Sequence, residues 1–221
     1  MRSHHMKLLY RSKTAKLITA LVCLGGTALG QGAPQPGHFR FVNATGLAGK
    51  ISLTIDALKL KPEGFASGDT TGSIGILPGS KQFTVASAEA GTATATLTVQ
   101  PSSSTTMIAY CKVTVDPRTN TTKKAIQLLA RANPPVSNGK HFQLLYVSSQ
   151  PAVDVAVNGT PRRINAMREV NEQELPGAAI KVEQAGKIVV VFDAPQAGNF
   201  LVLLYDDSTG KLAGVVLPDY K

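Results

Sequence analysis

The sequence predicts an all-β protein built as two tandem immunoglobulin-like antiparallel β-sandwiches. Three observations lead there. Landmarks recur in the same order about a hundred residues apart, and runs in both copies alternate apolar and polar with the two-residue period of a strand. Glycine and proline punctuate these runs, and helical periodicity is nearly absent.

The first 30 residues carry Arg2, Lys7, Arg11, Lys13 and Lys16 and no acid, then an apolar stretch from Leu17 to Leu29 ending in Ala28-Leu29-Gly30. That order of charge, apolar core and small residues predicts a signal peptide cut before Gln31. The apolar core is too short for a bilayer of about 30 Å, so no transmembrane span is expected after cleavage. The processed chain is expected in the periplasm, or secreted to the cell surface. Cys23 follows Val22 rather than the small residue of a lipoprotein site, which leaves Cys111 as the single thiol, read as buried and inert.

The first sandwich is placed at 31–130 and the second at 140–221. Gly37-His38-Phe39-Arg40-Phe41 matches Lys140-His141-Phe142-Gln143-Leu144, and Ile51 to Ile55 matches Val153 to Val157. Leu77-Pro78-Gly79 answers Leu175-Pro176-Gly177, each followed by an alternating run, Lys81 to Val85 and Ala179 to Glu183. Pro101 and Pro195 precede the long apolar runs Met107 to Val115 and Phe200 to Tyr205. Both runs end in polar turns that lead to the last strands, Ala125 to Ala130 and Leu212 to Leu217. Each copy then holds about seven short strands. Pro134 and Pro135 stiffen a linker over 131–139. The best helix candidate is Asn165 to Asn171, and the longest loops are Lys59 to Ile74 and Thr160 to Glu172.

Pro151-Ala152-Val153-Asp154-Val155-Ala156-Val157-Asn158-Gly159, with Leu175-Pro176-Gly177 and Leu201 to Leu217, resembles a family of bacterial secreted domains that carry a VDVYVNG-like hairpin. The resemblance covers most of 141–218 and, more loosely, 38–130, where Ile55-Asp56 lacks the Asn-Gly turn. It implies tandem extracytoplasmic β-sandwiches acting as binding or cell-surface modules with no established enzymatic activity. A weaker similarity, in Phe39 to Asn43, is to the periplasmic accessory proteins of alginate acetylation. It implies the alternative role of an accessory component in exopolysaccharide acetylation.

Five of the 23 Lys and Arg lie in the leader, so the processed chain has 18 bases against 14 acids, a net +4 with no basic run longer than a pair. That is not a nucleic-acid footprint, and no nucleic-acid partner is expected. No Gly-x-Ser-x-Gly elbow occurs, and Ser137-Asn138-Gly139-Lys140 fits Ser-x-x-Lys only within the linker, so no catalytic residue is assigned. His38 and His141 are isolated and equivalent in the repeat; they would bridge a metal only if the two first strands packed side by side, and no metal or cofactor is expected.

Asp206-Asp207 reads as a hairpin tip that bonds its own amides, Asn158-Gly159 as a positive-φ hairpin turn, and Glu169, Glu172 and Glu174 as a solvated face. Phe65, Tyr110, Tyr146 and Tyr205 read as packing residues rather than sugar platforms. The one local group of guanidinium side chains, Arg162, Arg163 and Arg168, is the candidate ligand-binding site, suited to an acidic partner such as a polyanionic surface glycan. Lys81, Lys112 and Lys187 are candidate guards against edge-to-edge pairing. The function expected is a non-enzymatic binding, adaptor or envelope-structural component with a protein or polysaccharide partner. The oligomeric state is left open.

Overall fold

The computed structural model describes residues 34–135, 140–173, 179–193 and 198–219, all within one compact unit, Ala33–Lys221. The segment read as a signal peptide, with Cys23, and Leu175-Pro176-Gly177, read as a turn, lie outside the described residues, as do Glu174, Pro195 and residues 136–139. Among the described residues every element is a strand, and no helix is long and apolar enough to cross a membrane.

The chain forms two tandem β-sandwiches. The first is made of β1 (Gly37–Ala44), β2 (Ile51–Ile55), β3 (Leu58–Phe65), β4 (Ile74–Ile76), β5 (Gly79–Ser87), β6 (Gly91–Val99), β7 (Ser104–Val115) and β8 (Thr122–Ala132). The second is made of β9 (Lys140–Val147), β10 (Ala152–Val157), β11 (Thr160–Asn165), β12 (Glu169–Gln173), β13 (Ala179–Gln184), β14 (Lys187–Asp193), β15 (Gly198–Asp206) and β16 (Leu212–Asp219). The sheet orders are β4-β1-β7-β8 and β3-β2-β5-β6 in the first copy, and β12-β9-β15-β16 and β11-β10-β13-β14 in the second. The two copies therefore repeat strand for strand. Within otherwise antiparallel sheets, β1 runs parallel to β7 and β9 runs parallel to β15.

Alternation along each strand sends side chains to opposite faces, which explains how one short strand serves two cores. Phe39 and Phe41 enter the first sandwich beside Leu53, Phe83 and Met107, where Phe39 stacks on Phe83 at 4.7 Å. Phe142, Leu144, Val202 and Leu204 fill the second sandwich with Val155 and Val182. The residues between them form a third core: Val42, Ala44 and Ile108 of the first copy pack on Leu145, Val147, Leu201, Leu203 and Tyr205 of the second. The two sandwiches thus share a face, giving four sheet layers and three apolar seams. Strands β1, β7, β9 and β15 are covered on both sides, which accounts for the nearly unbroken apolar run of β15.

Several sequence expectations are corrected. The Asn165 to Asn171 helix is absent: Ala166 bridges to Tyr146, Met167 turns at φ +60°, and β12 begins at Glu169 to pair with β9. The pairing opportunity offered by β9 overrides local propensity there. Much of the two long loops is likewise strand, β3 in one copy and β11 with β12 in the other. In the first copy, positive φ at Lys61 and Gly64 interrupts the alternation and hides the strand in the sequence. Arg131 and Ala132, read as linker, complete β8 opposite Thr106 and Thr105. Of the three guard lysines only Lys187 stands on an edge strand, because β7 and β5 lie inside their sheets; Lys81 instead pairs with Asp56 at 3.3 Å.

Candidate functional site

The shared face follows a reciprocal pattern. Gly46, two residues past β1, lies against the Asp206 carbonyl at the end of β15. Ser149, two residues past β9, meets the equivalent stretch of β7, its hydroxyl accepting from Val113 N at 2.6 Å and donating to Cys111 O at 3.5 Å. The registers Ala44↔Tyr110 and Val147↔Tyr205 make Cys111 the counterpart of Asp206. The contacts at this end of the junction therefore recur in both directions, as across a local two-fold axis.

At the other end the reciprocity breaks, and there a groove opens. Arg40, Thr106 and Arg131 form one row across the inner sheet of the first copy; Gln143, Leu201 and Leu217 form the equivalent row of the second. On one side, buried Arg131 crosses to the facing copy. Its Nε and Nη2 donate to the Glu169 carboxylate, Nη2 also to Gln143 Oε1, and Nη1 to Asn133 Oδ1 at 3.0 Å. A planar guanidinium with five donors suits this closure. On the opposite side its counterpart is Leu217, which has no donors, and the counterpart of Glu169 is the shorter Thr70, opposite Val42 as Glu169 is opposite Leu145. What is filled on one side remains on the other a groove of about 1090 Å³, whose lining includes His38, Arg40, Thr70, Ser102, Pro135 and Leu217.

The groove wall is held by a fixed polar mesh. Thr106 Oγ1 donates to Asn133 Oδ1 at 2.9 Å, and Asn133 Nδ2 donates to Ser104 Oγ at 2.9 Å. Asn199 Nδ2 ties the second copy to the Pro135 carbonyl at 2.9 Å. Phe41 N donates to Thr71 Oγ1 at 2.8 Å, and His38 Nδ1 and Ser73 Oγ share a hydrogen bond at 3.4 Å on the exposed rim. Gly72 projects into open space: a Cβ there would meet nothing within 4 Å.

The three arginines are spread over two segments, and two of them, Arg162 and Arg163, border one shallow hollow with Asp154 and Glu183. Arg162 and Arg163 are consecutive on β11 and leave opposite faces. Arg162 shares the face of core-buried Ile164, whereas Arg163 forms an exposed ion pair with Asp154 at 3.0 Å. Arg168 follows the Met167 turn, exposed and on another segment. The two aspartates also separate. Asp207 is the turn residue; its carboxylate accepts from Thr209 Oγ1 and Thr209 N at 2.7 Å and from Lys211 N at 3.0 Å, contacts that hold its pKa below the usual range. Asp206 is the last residue of β15 and accepts from the Tyr146 hydroxyl at 3.0 Å and from Ser148 Oγ. Burial, with the Asp206 charge adding to it, pushes the Tyr146 phenol up to about 12.

Asn158 and Gly159 take φ +47° and +81°, the geometry of their predicted turn. Phe65, Tyr146 and Tyr205 are buried and Tyr110 packs on the third core, so these rings serve packing. Cys111 is half-buried, and desolvation raises its pKa, which keeps the thiol protonated. Among the described residues no three His, Cys, Asp or Glu gather as metal ligands.

Sequence reading missed the groove because its residues lie on five separated segments. The signal that finds it is a departure between the copies, Arg131 against Leu217, visible once the last strands are aligned by register. No family model matches the chain, and no curated protein matches its sequence. Fold and site together define a duplicated β-sandwich protein whose two copies build a groove between them.

Proposed function

We propose that this protein is a non-enzymatic extracytoplasmic binding or adaptor component of the envelope, and that the groove at the junction of the sandwiches receives its protein or polysaccharide partner. The observation that carries the reading is the open half of the junction. Its walls come from both copies, its volume reaches the upper range of ligand sites, and its backbone is fixed by sheet and by the Asn133 and Asn199 hydrogen bonds. Such a surface is preorganised, so binding requires little further ordering of the protein. The lining offers hydroxyls at Ser73, Ser102 and Ser103 and apolar faces at Pro134, Pro135 and Pro218, which suits an extended chain better than a compact charged molecule.

Retention on immobilised envelope polysaccharides and on a peptide library tests this. Gly72→Trp fills the groove without entering the packed interior, and it should abolish retention of whichever ligand binds. Neutralising Arg162, Arg163 and Arg168 together separates the groove from the arginine surface. Binding that survives Gly72→Trp would remove the groove from consideration, and binding lost only in the triple variant would move the site to β11 and the turn after it.

A further inference from the structure

Among the described residues four sheets present eight edge strands, and seven of them are short or guarded. Strand β4 has three residues; β3, β8, β11, β12, β14 and β16 each contain a charged residue, a proline or both. These are the ordinary devices that keep an open edge from pairing with another chain. Strand β6 has none. Its nine residues, Gly-Thr-Ala-Thr-Ala-Thr-Leu-Thr-Val, include neither charge nor proline, and its equivalent in the second copy, β14, begins at Lys187 and ends at Asp193.

The strand is paired with β5 along its whole length, from Ser87↔Gly91 to Gly79↔Val99, so its other edge carries backbone groups that no described strand bonds. Strand β8 of the facing sheet packs close to β6 and bonds the chain just before it, where Ile126 N donates to Ala90 O, but it is not hydrogen-bonded to the outer edge of β6 as a sheet neighbour. On the solvent face Thr92, Thr94, Thr96 and Thr98 are all exposed, while Ala93, Ala95 and Leu97 turn inward against the first core. This pattern is a palindrome about Ala95. An antiparallel copy of β6 centred there would set Thr92 opposite Thr98 and Thr94 opposite Thr96 on the outside, and Ala93 opposite Leu97 within. Cross-strand threonine pairs of this kind are favourable, and one already exists in the sheet, where Thr84 Oγ1 and Thr94 Oγ1 lie 3.4 Å apart. The charges nearest the strand's start, Glu89 and Lys124, pair with each other at 3.8 Å, so no like charges would face across the junction.

We propose that β6 is a homodimerisation edge, joining a second copy of this chain in an isologous antiparallel pair that continues the β3-β2-β5-β6 sheet across a two-fold axis. The inference stands independently of the groove, which the β6 edge does not line.

Sedimentation equilibrium over a dilution series should show the mass falling from dimer to monomer, and Thr94→Lys with Thr96→Lys should raise the dissociation constant at least tenfold. Both positions are exposed, so the variant keeps its β circular dichroism; if it does not, hydrogen exchange of the unsubstituted chain decides, since alternate β6 amides must gain protection as concentration rises. A chain that stays monomeric throughout, a dimer indifferent to the two lysines, or β6 amides whose exchange ignores concentration would each overturn the proposal.

Discussion

Gly46 stands against the backbone of Asp206 so closely that a Cβ on it would lie 1.9 Å from the Asp206 carbonyl oxygen. The residue also has φ +62°, in the left-handed region that glycine enters without steric cost. Two loops from different sandwiches are thereby brought to direct backbone contact, and one side chain of any size would separate them.

Gly46→Ala should therefore destabilise the protein by more than the about 1 kcal/mol expected for an incompatible φ alone. Gly210→Ala supplies that reference, because Gly210 has φ +77° and nothing within 4 Å of its Cβ position. Urea denaturation of the two variants separates strain from contact. Equal losses would mean that the 46–206 approach contributes nothing.

Arg131→Ala removes the group that closes the other side of the junction and leaves Glu169 and Gln143 without their donor. A buried pair broken from one side commonly costs 3–5 kcal/mol, and Glu169 keeps a third of its side chain in water, so a loss of about 2 kcal/mol is expected. Arg131→Leu with Glu169→Thr reproduces the residues of the opposite side, Leu217 and Thr70. That pair of changes should cost less than Arg131→Ala and should open a second groove to small polar probes in a crystal structure.

The alternating strands were legible because one face of each meets a core and the other meets water, as in β2 with Ile51, Leu53 and Ile55 inward. The copy relation was legible for the same reason, through matched turns between matched strands. The third core was not read, although Phe200 to Tyr205 carried its mark: a run apolar at every position belongs to a strand covered on both sides. Arg131 looked like linker because its partner Glu169 lies 38 residues away and nothing local announces a buried ion pair. Arg162 and Arg163 diverge for a geometric reason, since consecutive residues on a strand face apart.

Stability should fall at both ends of the pH scale for different groups. The carboxyls of Asp69 and Asp207 are held below their ordinary value, Asp69 chiefly by Lys61 and Asp207 chiefly by Thr209. A depressed carboxyl favours the folded state above its unfolded pKa, and that contribution is lost as pH falls below about 4 towards the folded value. Tyr146 acts at the other end: its phenol is raised to about 12, so the unfolded chain ionises first and stability declines as pH climbs from about 10. Tyr146→Phe should shrink that alkaline decline, to which the raised Tyr110 and Cys111 also contribute, while lowering stability at neutral pH through the lost bond to Asp206. An alkaline limb unchanged in the variant would assign the decline to another group.

The shared face makes a definite claim about cooperativity. Leu203 is fully buried in the third core, in a strand whose alternate residues Val202 and Leu204 fill the second sandwich. Leu203→Ala should cost about 2–5 kcal/mol, the range for a leucine truncated in a packed interior. Leu53→Ala, within the first sandwich alone, should cost a similar amount. If the three cores unfold as one unit, both variants lower the midpoint of a single transition, and hydrogen exchange of β2 and β10 weakens in step in each. If the sandwiches are independent, Leu53→Ala splits the transition in two and leaves β10 protection unchanged. Exchange read at Leu53 and Val155 decides between these outcomes, since those residues sit at equivalent inward positions of β2 and β10 on opposite sides of the junction.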